Sequence, residues 1–309
     1  MKYTSKTLSN GVEIPSIAFG TDIALQWRCE SNIIMQQLKR AKSYAKLIKN
    51  HNIKKIKFDI NLEKLIKELP EHGCNLIDTS RAYGGSEKAI ARALKGKNRD
   101  NYFVTTKISN YDQRTIGAKK SLECSLKQLE MDYVDLYLIH WPQTDTWIKC
   151  WKEFEELYKE GKCKAIGVCN CNIHHLELLK QHSNIIPMVN QFECHPLFTQ
   201  NELRRYCKEN SIAVMSYTST ARMDFRLKNS KRMQSLCEKY SKDLNQLILR
   251  WHIQSGNIPI FNTSSINHMI SNLNIWDFNI DDDDISIISG MNINARTRYD
   301  PDNCEFDRL

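Results

Sequence analysis

The stretch 74-CNLIDTSRAYGGSEKAIARALKG-96 holds one complete structural unit. The apolar run Cys74–Asp78 reads as a buried strand that ends on a carboxylate. A Gly-rich turn carrying Tyr83 follows, and then SEKAIARALKG spaces its apolar residues as one face of a helix. The unit raises a question about the rest of the chain. Why does a buried strand end on Asp78, with a phenol just beyond it?

The same rhythm runs through the chain. Short runs rich in Val, Ile and Tyr occur at 16–20, 74–78, 102–107, 134–140, 164–168, 187–191, 212–217 and 257–261. Longer segments with helical spacing separate them. Eight strand–helix alternations in one chain predict an α/β (β/α)8 TIM barrel. The rival, a doubly wound open sheet, usually carries G-x-G-x-x-G after its first strand, and SIAFGTDIA lacks it. Ahead of the first strand, 6-KTLSNGVEIP-15 reads as a β-hairpin that closes the bottom of the barrel, with Asn10-Gly11 as a type I′ turn. One barrel domain over 1–309 is expected. The acidic run Asp281–Asp284 predicts a helix N-terminus, where carboxylates are favoured.

Bulk composition narrows the class. The 309 residues are 41% hydrophobic and 26% charged, which suits a large packed domain. No apolar run is long enough to span a bilayer, and MKYTSKTLSNGVEIP has no signal-peptide core. The eleven cysteines are scattered rather than framed like a disulfide scaffold, which fits a reducing, cytoplasmic setting. Cys163, Cys169 and Cys171 cluster, but no second cluster follows, so no metal is expected. The net charge of +8 is uneven, with an excess of six positive charges between 21 and 70. That segment has neither the interleaved aromatics nor a motif that would suit nucleic acid.

The strand ends carry the chemistry. Asp78, Lys107, His140, Cys169 with Asn170, Gln191 and Tyr217 stand at the C-terminal ends of successive predicted strands. In a barrel these ends form one mouth. Singly, each has an ordinary explanation: Asp78 as a helix cap, Lys107 on the rim, His140 and the tyrosines as packing. Six strands in a row delivering polar groups to one rim is not what core packing produces. Tyr83, Lys107, Asp78 and His140 together suit protonation of an oxygen that gains charge. The phenol donates, the ammonium lowers its pKa, the carboxylate holds the ammonium, and the imidazole orients the acceptor. Asn170 and Gln191 suit a carboxamide, and Tyr217 can stack on a flat ring.

Nearly the whole chain resembles the aldo-keto reductase superfamily, and its short loops are similar to those of bacterial-type members. The resemblance rests on DTSRAYGGSE (78–87), FVTTK (103–107), MDYVDLYLIHWP (131–142), GKCKAIGVCNCNIHHLE (161–177), VNQFECHPL (189–197), IAVMSY (212–217) and LRWHIQSG (249–256). It implies an NAD(P)H-dependent reduction of an aldehyde or ketone, with Asp78, Tyr83, Lys107 and His140 as catalytic tetrad. Trp141 is implied beside Tyr83 and His140 on the substrate side. The implied cofactor contacts are Thr21, Asp78, Cys169, Asn170, Gln191, Tyr217, Thr218, Ser219, Thr220, Arg222, Thr263, Ser264, Ser265, His268 and Asn272. Cys169 stands where the family usually has serine, and His268 where a basic residue is expected. NADP(H) is the expected cofactor, with NAD(H) the alternative, because a neutral imidazole rewards a 2′-phosphate less than an arginine does. A cofactor-binding regulatory protein with little turnover is the other functional reading.

Between the first and second strands, the family's short connection is replaced by a basic insertion of about 22–70. Ile34, Leu38, Ala41, Ala45 and Ile48 would share one helix face. The segment reads as a surface helix or as a dock for an acidic partner or surface.

Overall fold

A computed structural model describes residues 4–22, 61–143 and 145–304. The helix face predicted over 34–48, and most of the basic insertion, lie outside the described residues.

Strands β1 (Ser5–Thr7) and β2 (Glu13–Pro15) pair antiparallel. The next eight are β3 (Ala18–Gly20), β4 (Leu76–Asp78), β5 (Phe103–Ile108), β6 (Val134–Ile139), β7 (Cys163–Cys169), β8 (Val189–Glu193), β9 (Ala213–Tyr217) and β10 (Ile258–Phe261). They pair in parallel and close on themselves in the order β10-β3-β4-β5-β6-β7-β8-β9. Every residue of β5, β6 and β8 is buried. This is expected of parallel strands with side chains packed inside and helices outside, and it holds even where a strand carries polar residues, as in FVTTKI and VNQFE. Gly167 shows how tight the wall is: a Cβ there would stand 2.5 Å from the Val189 carbonyl.

The outer layer packs on aromatic residues. Tyr137 of β6 stacks on Phe154 of the helix Trp147–Lys159, with ring centroids 4.2 Å apart. Trp147, Trp151 and Trp251 are fully buried between helices and barrel. Burying side chains of this size contributes about 1.5–3 kcal/mol each, as an upper bound. The acidic run behaves as predicted. Asp281 precedes the helix Asp282–Ser289, and Asp284 accepts from Lys239 at 2.6 Å.

The hairpin lies across the bottom. Asn10 donates to the Lys164 carbonyl at 2.9 Å, and Lys6 donates to the Gly256 carbonyl, close to where β7 and β10 begin. Leu8 and Ile14 are buried beneath it. The turn differs from the predicted type I′. Gly11 has φ 86°, Asn10 has no positive φ, and Leu8 and Val12 close the loop at 2.8 Å. Only glycine takes the left-handed position, which gives a longer loop than a two-residue turn.

Four strand ends shift from their predicted places. β5 runs one residue past Lys107 to Ile108, β6 stops at Ile139, one residue before His140, β7 includes Cys169, and β8 runs past Gln191 to Glu193. Cys163 and Cys169 thus begin and end the same strand.

Candidate active site

Asp78 ends β4 and Lys107 is the penultimate residue of β5. Register pairs Asp78 with Thr105, so Lys107 reaches back across the neighbouring strand. Its ammonium donates to Asp78 Oδ2 at 2.7 Å and to the Thr79 carbonyl at 2.8 Å. Lys107 is 0% exposed and Asp78 3%. A buried ion pair tolerates the loss of neither partner, because the remaining charge is stranded. The other carboxylate oxygen, Asp78 Oδ1, accepts from Gln191 Nε2 at 2.8 Å. One carboxylate therefore ties three strands together at the mouth.

The loop after β4 is built to present Tyr83. Tyr83 N donates to the Ser80 carbonyl at 2.9 Å, and Ala82 N to the Ser80 hydroxyl at 3.2 Å. Gly84 and Gly85 follow with φ 55° and 96°, a left-handed pair that turns the chain into the helix Ser86–Leu94. Arg81 pairs with Asp112 at 2.5 Å, which pins the loop to the helix Asn110–Thr115. A chain of hydroxyls secures its start: Thr21 Oγ1 meets Thr79 Oγ1 at 2.8 Å, and Thr79 Oγ1 meets Ser86 Oγ at 2.7 Å.

Tyr83 and His140 are both half-buried and meet edge to face, with ring centroids 5.8 Å apart. Lys107 Nζ lies 5.0 Å from the centre of the Tyr83 ring. The Lys107 ammonium, paired with Asp78, does not set the net direction for the phenol. Burial, and then the Asp78 carboxylate, push the Tyr83 phenol well above its ordinary value. Lys107 gives its charge to Asp78 first. Tyr83 therefore keeps its proton firmly, as a donor must before reaction.

The predicted carboxamide contacts converge on the same mouth. Tyr217 Oη donates to Asn170 Oδ1 at 2.5 Å, and Asn170 Nδ2 donates to the His140 carbonyl at 3.0 Å. Asn170 holds φ 61°, a left-handed conformation that asparagine tolerates. Each amide nitrogen, on Asn170 and Gln191, retains a second hydrogen for a ligand. Burial keeps the Cys169 thiol protonated, as it does the Tyr217 phenol. Trp141, read as a pocket wall, is 5% exposed, so its ring is almost wholly covered.

The outlying predicted residues form a second group around the ends of β9 and β10. Thr218, Ala221, Arg222 and Met223 all have φ between 50° and 56°. Such a run of left-handed non-glycine residues stores strain. Ser219 is buried, and its hydroxyl donates to the Ile260 carbonyl at 2.9 Å. Thr220 is half-buried and Arg222 exposed. Thr263 Oγ1 accepts from Ser265 N at 3.0 Å, and Ser265 caps the helix Ile266–Leu273. His268 and Ser264 are exposed there, and Asn272 is 8% exposed. Capping hydroxyls and unpaired N–H groups at a helix N-terminus suit an anion. Two carboxamides beside a tyrosine, with this cap one strand away, are a donor set that fits a nicotinamide dinucleotide.

Sequence reasoning missed three supports of the site. His252, fully buried, donates to the Ser219 carbonyl at 3.0 Å and fixes the strained loop. Its pKa is lowered to about 3 by burial, so it stays neutral. The Arg81–Asp112 pair was the second. The third was Glu193, buried at the end of β8. It lies two residues beyond Gln191, hence on the same strand face, a period-two signal that the sequence contains.

Residues 50–293 match the model of the Aldo/keto reductase family. The chain belongs to this family. It is 37% identical over 243 residues to a glyoxal reductase of Bacillus subtilis (strain 168), covering 78% of this chain and 87% of that one. It is 36% identical over 241 residues to the methylglyoxal reductase DkgA of Escherichia coli (strain K12), covering 77% and 86%. Among solved structures, an aldo-keto reductase, MGS-M4, from a Medee basin deep-sea metagenome library aligns with a TM-score of 0.81 at 32% identity, over 98% of this chain and 100% of that one. A silkworm (Bombyx mori) aldo-keto reductase, AKR2E5, solved in complex with NADPH, aligns with a TM-score of 0.78 at 26% identity, over 96% and 90%. This aldo-keto reductase is an oxidoreductase by that membership. No helix among its described residues is long and apolar enough to cross a membrane.

Proposed function

We propose that this aldo-keto reductase reduces a small aldehyde or ketone to an alcohol, with Tyr83 as the proton donor. NADPH, the cofactor of the structural relative, supplies the hydride when bound. The observation that carries the reading is the buried Lys107–Asp78 pair standing 5.0 Å from the ring of a half-buried phenol that faces His140. A carbonyl oxygen beside Tyr83 and His140 accepts hydrogen bonds that strengthen as it gains charge. Tyr83 then passes its proton to that oxygen, and the Lys107 ammonium stabilises the phenolate left behind. Asp78 holds Lys107 in place and Gln191 holds Asp78. Water restores the phenol.

Asn170, Gln191 and Tyr217 are assigned to the nicotinamide carboxamide and ring, with Cys169 and Thr21 beside them. The group 218–222 is assigned to the pyrophosphate, and Thr263, Ser264, Ser265, His268 and Asn272 to the adenosine end. The glyoxal and methylglyoxal reductases among the relatives favour small, reactive carbonyl substrates. The test is cofactor oxidation with methylglyoxal and a panel of aldehydes, run with NADPH and NADH in parallel. Turnover faster with NADPH is expected. Tight cofactor binding with no turnover of any carbonyl would favour a regulatory role instead.

A further inference from the structure

The chain beyond the last helix is fastened to the barrel at two points. At the first, the buried Glu193 carboxylate, which ends β8, accepts from Thr297 N at 2.8 Å, Thr297 Oγ1 at 2.5 Å and Arg298 N at 2.9 Å. At the second, Asp302 Oδ2 accepts from Asn172 Nδ2 at 2.8 Å, just past the end of β7. Residues 297–302 therefore span from one strand end to the next. The first fastening is sealed from water, whereas Asp302 is exposed.

Two histidines of the helix Ile173–His182 face the second fastening. His174 Nε2 stands 3.1 Å and His175 Nε2 3.7 Å from the same oxygen, Asp302 Oδ1. The imidazole rings lie 4.0 Å apart, and one ligand atom from each of the three residues falls within 4.8 Å of the others. Among the described residues this is the one group of three such side chains so close together. Zinc bonds of about 2.0–2.2 Å at tetrahedral angles place ligand atoms roughly 3.3–3.6 Å apart, and the two distances here bracket that range. A pair of ion pairs explains the cluster less well. Protonated rings this close would repel, and burial, then His174, lower the His175 pKa to about 4. At 3.7 Å its nitrogen is also too far from Asp302 for a hydrogen bond.

The surroundings suit a metal. The bond from Asn172 Nδ2 to Asp302 Oδ2 fixes the carboxylate and leaves Oδ1 for the ion, as outer partners of ligands do. Asp302 also offsets the positive end of the helix, which would otherwise repel a cation. His174 is exposed, so an ion can enter and water can complete its shell. His175 is the ligand that must change partner. Its Nδ1 accepts from Asn172 N at 3.1 Å, which puts its proton on Nε2 in the metal-free protein. Ligation through Nε2 moves that proton to Nδ1 and releases the half-buried Asn172 N–H. The Cys304 thiol is not part of the set, since it lies against the Pro301 carbonyl at 3.7 Å.

We propose that His174, His175 and Asp302 bind one divalent transition metal of the zinc class, which locks residues 297–302 across the mouth. Two imidazoles and one carboxylate select Zn2+ over Mg2+ or Ca2+, which prefer oxygen ligands. The test is calorimetric titration of the full, chelator-stripped chain with Zn2+, with Mg2+ in parallel. Wild type is expected to bind one Zn2+ with a dissociation constant of about 10 μM or tighter, weaker than a closed four-ligand site. His174→Ala and Asp302→Asn each weaken binding by about tenfold or more. His175→Gln does the same while its amide keeps the bond from Asn172 N. Circular dichroism certifies that each variant is folded. Trypsin cleavage after Arg296 and Arg298 reads the lock: with Zn2+ at ten times its dissociation constant it slows by about tenfold in wild type and is unchanged in Asp302→Asn. The proposal is overturned if wild type binds no Zn2+, or if binding survives intact in both His174→Ala and Asp302→Asn. Binding lost in Cys304→Ser but kept in His174→Ala overturns it too, by moving the metal to a thiol. Zn2+ binding that leaves wild-type cleavage unchanged overturns the lock.

Discussion

Lys107 carries the largest consequence at the scale of one residue. It is fully buried and bonded to Asp78 Oδ2 and the Thr79 carbonyl. Lys107→Met removes the ammonium and strands Asp78, so a stability loss of about 3–5 kcal/mol is expected together with loss of turnover. Urea unfolding measures the first and NADPH oxidation the second. A variant as stable as wild type would mean that the pair is not buried as described. Cys169 makes a smaller, opposite prediction. Its thiol is a weak donor, held protonated by burial. Cys169→Ser supplies a better one, and NADPH is expected to bind tighter by about 0.5–1.5 kcal/mol, read by fluorescence titration. Asp78, Lys107 and His140 were read from the sequence jointly, because successive strand ends deliver polar groups to one mouth, with Tyr83 in the turn just beyond Asp78. The state of Tyr83 was not, because its upward shift comes first from burial and then from the Asp78 carboxylate, and burial is set by the fold.

Elements set the geometry, and two of them were only partly legible. The loop 79–85 was read as a Gly-rich turn, but not the Arg81–Asp112 pair that fastens it. That contact joins residues from different units, and nothing in local spacing announces it. Arg81→Met is expected to lower kcat more than it raises KM, because the phenol loses its placement while the mouth stays formed. Equal effects on both would assign Arg81 to substrate binding instead. Beyond the last helix, the Glu193 carboxylate at the end of β8 fastens a strap through Thr297 and Arg298, which no local spacing announces. Burial alone would raise the Glu193 pKa, but hydrogen bonds from His195, Thr297 and Arg298 outweigh it and hold the carboxyl below its ordinary range. A depressed carboxylate contributes stability that is fully present above the unfolded value of about 4.3 and is lost progressively as pH falls toward the lower folded value. The strap is therefore expected to stay fastened at neutral pH and to loosen below about pH 4. Glu193→Gln should loosen it at pH 7. Limited proteolysis near Thr297, compared with wild type, checks this.

For the whole molecule, the division is between the two ends of the barrel. Eight strands were legible because short runs rich in Val, Ile and Tyr alternate with segments of helical spacing, and strand number with that alternation leaves few topologies. Their ends slipped by one or two residues, because a strand stops where its neighbour's hydrogen bonds stop, and one sequence does not say where that is. The hairpin at the bottom is a stability element. Ile14→Ala, at a fully buried site, is expected to cost about 2–5 kcal/mol while leaving KM unchanged. A raised KM would mean that the two ends are coupled.

The central claim concerns the other end, where Tyr83 gives the proton. Single-turnover reduction of methylglyoxal by NADPH-loaded wild type and Tyr83→Phe tests it most directly. The account predicts that the phenylalanine variant binds NADPH as wild type does, while its chemical step slows by about two orders of magnitude or more. A chemical step in Tyr83→Phe within a few-fold of wild type would contradict it.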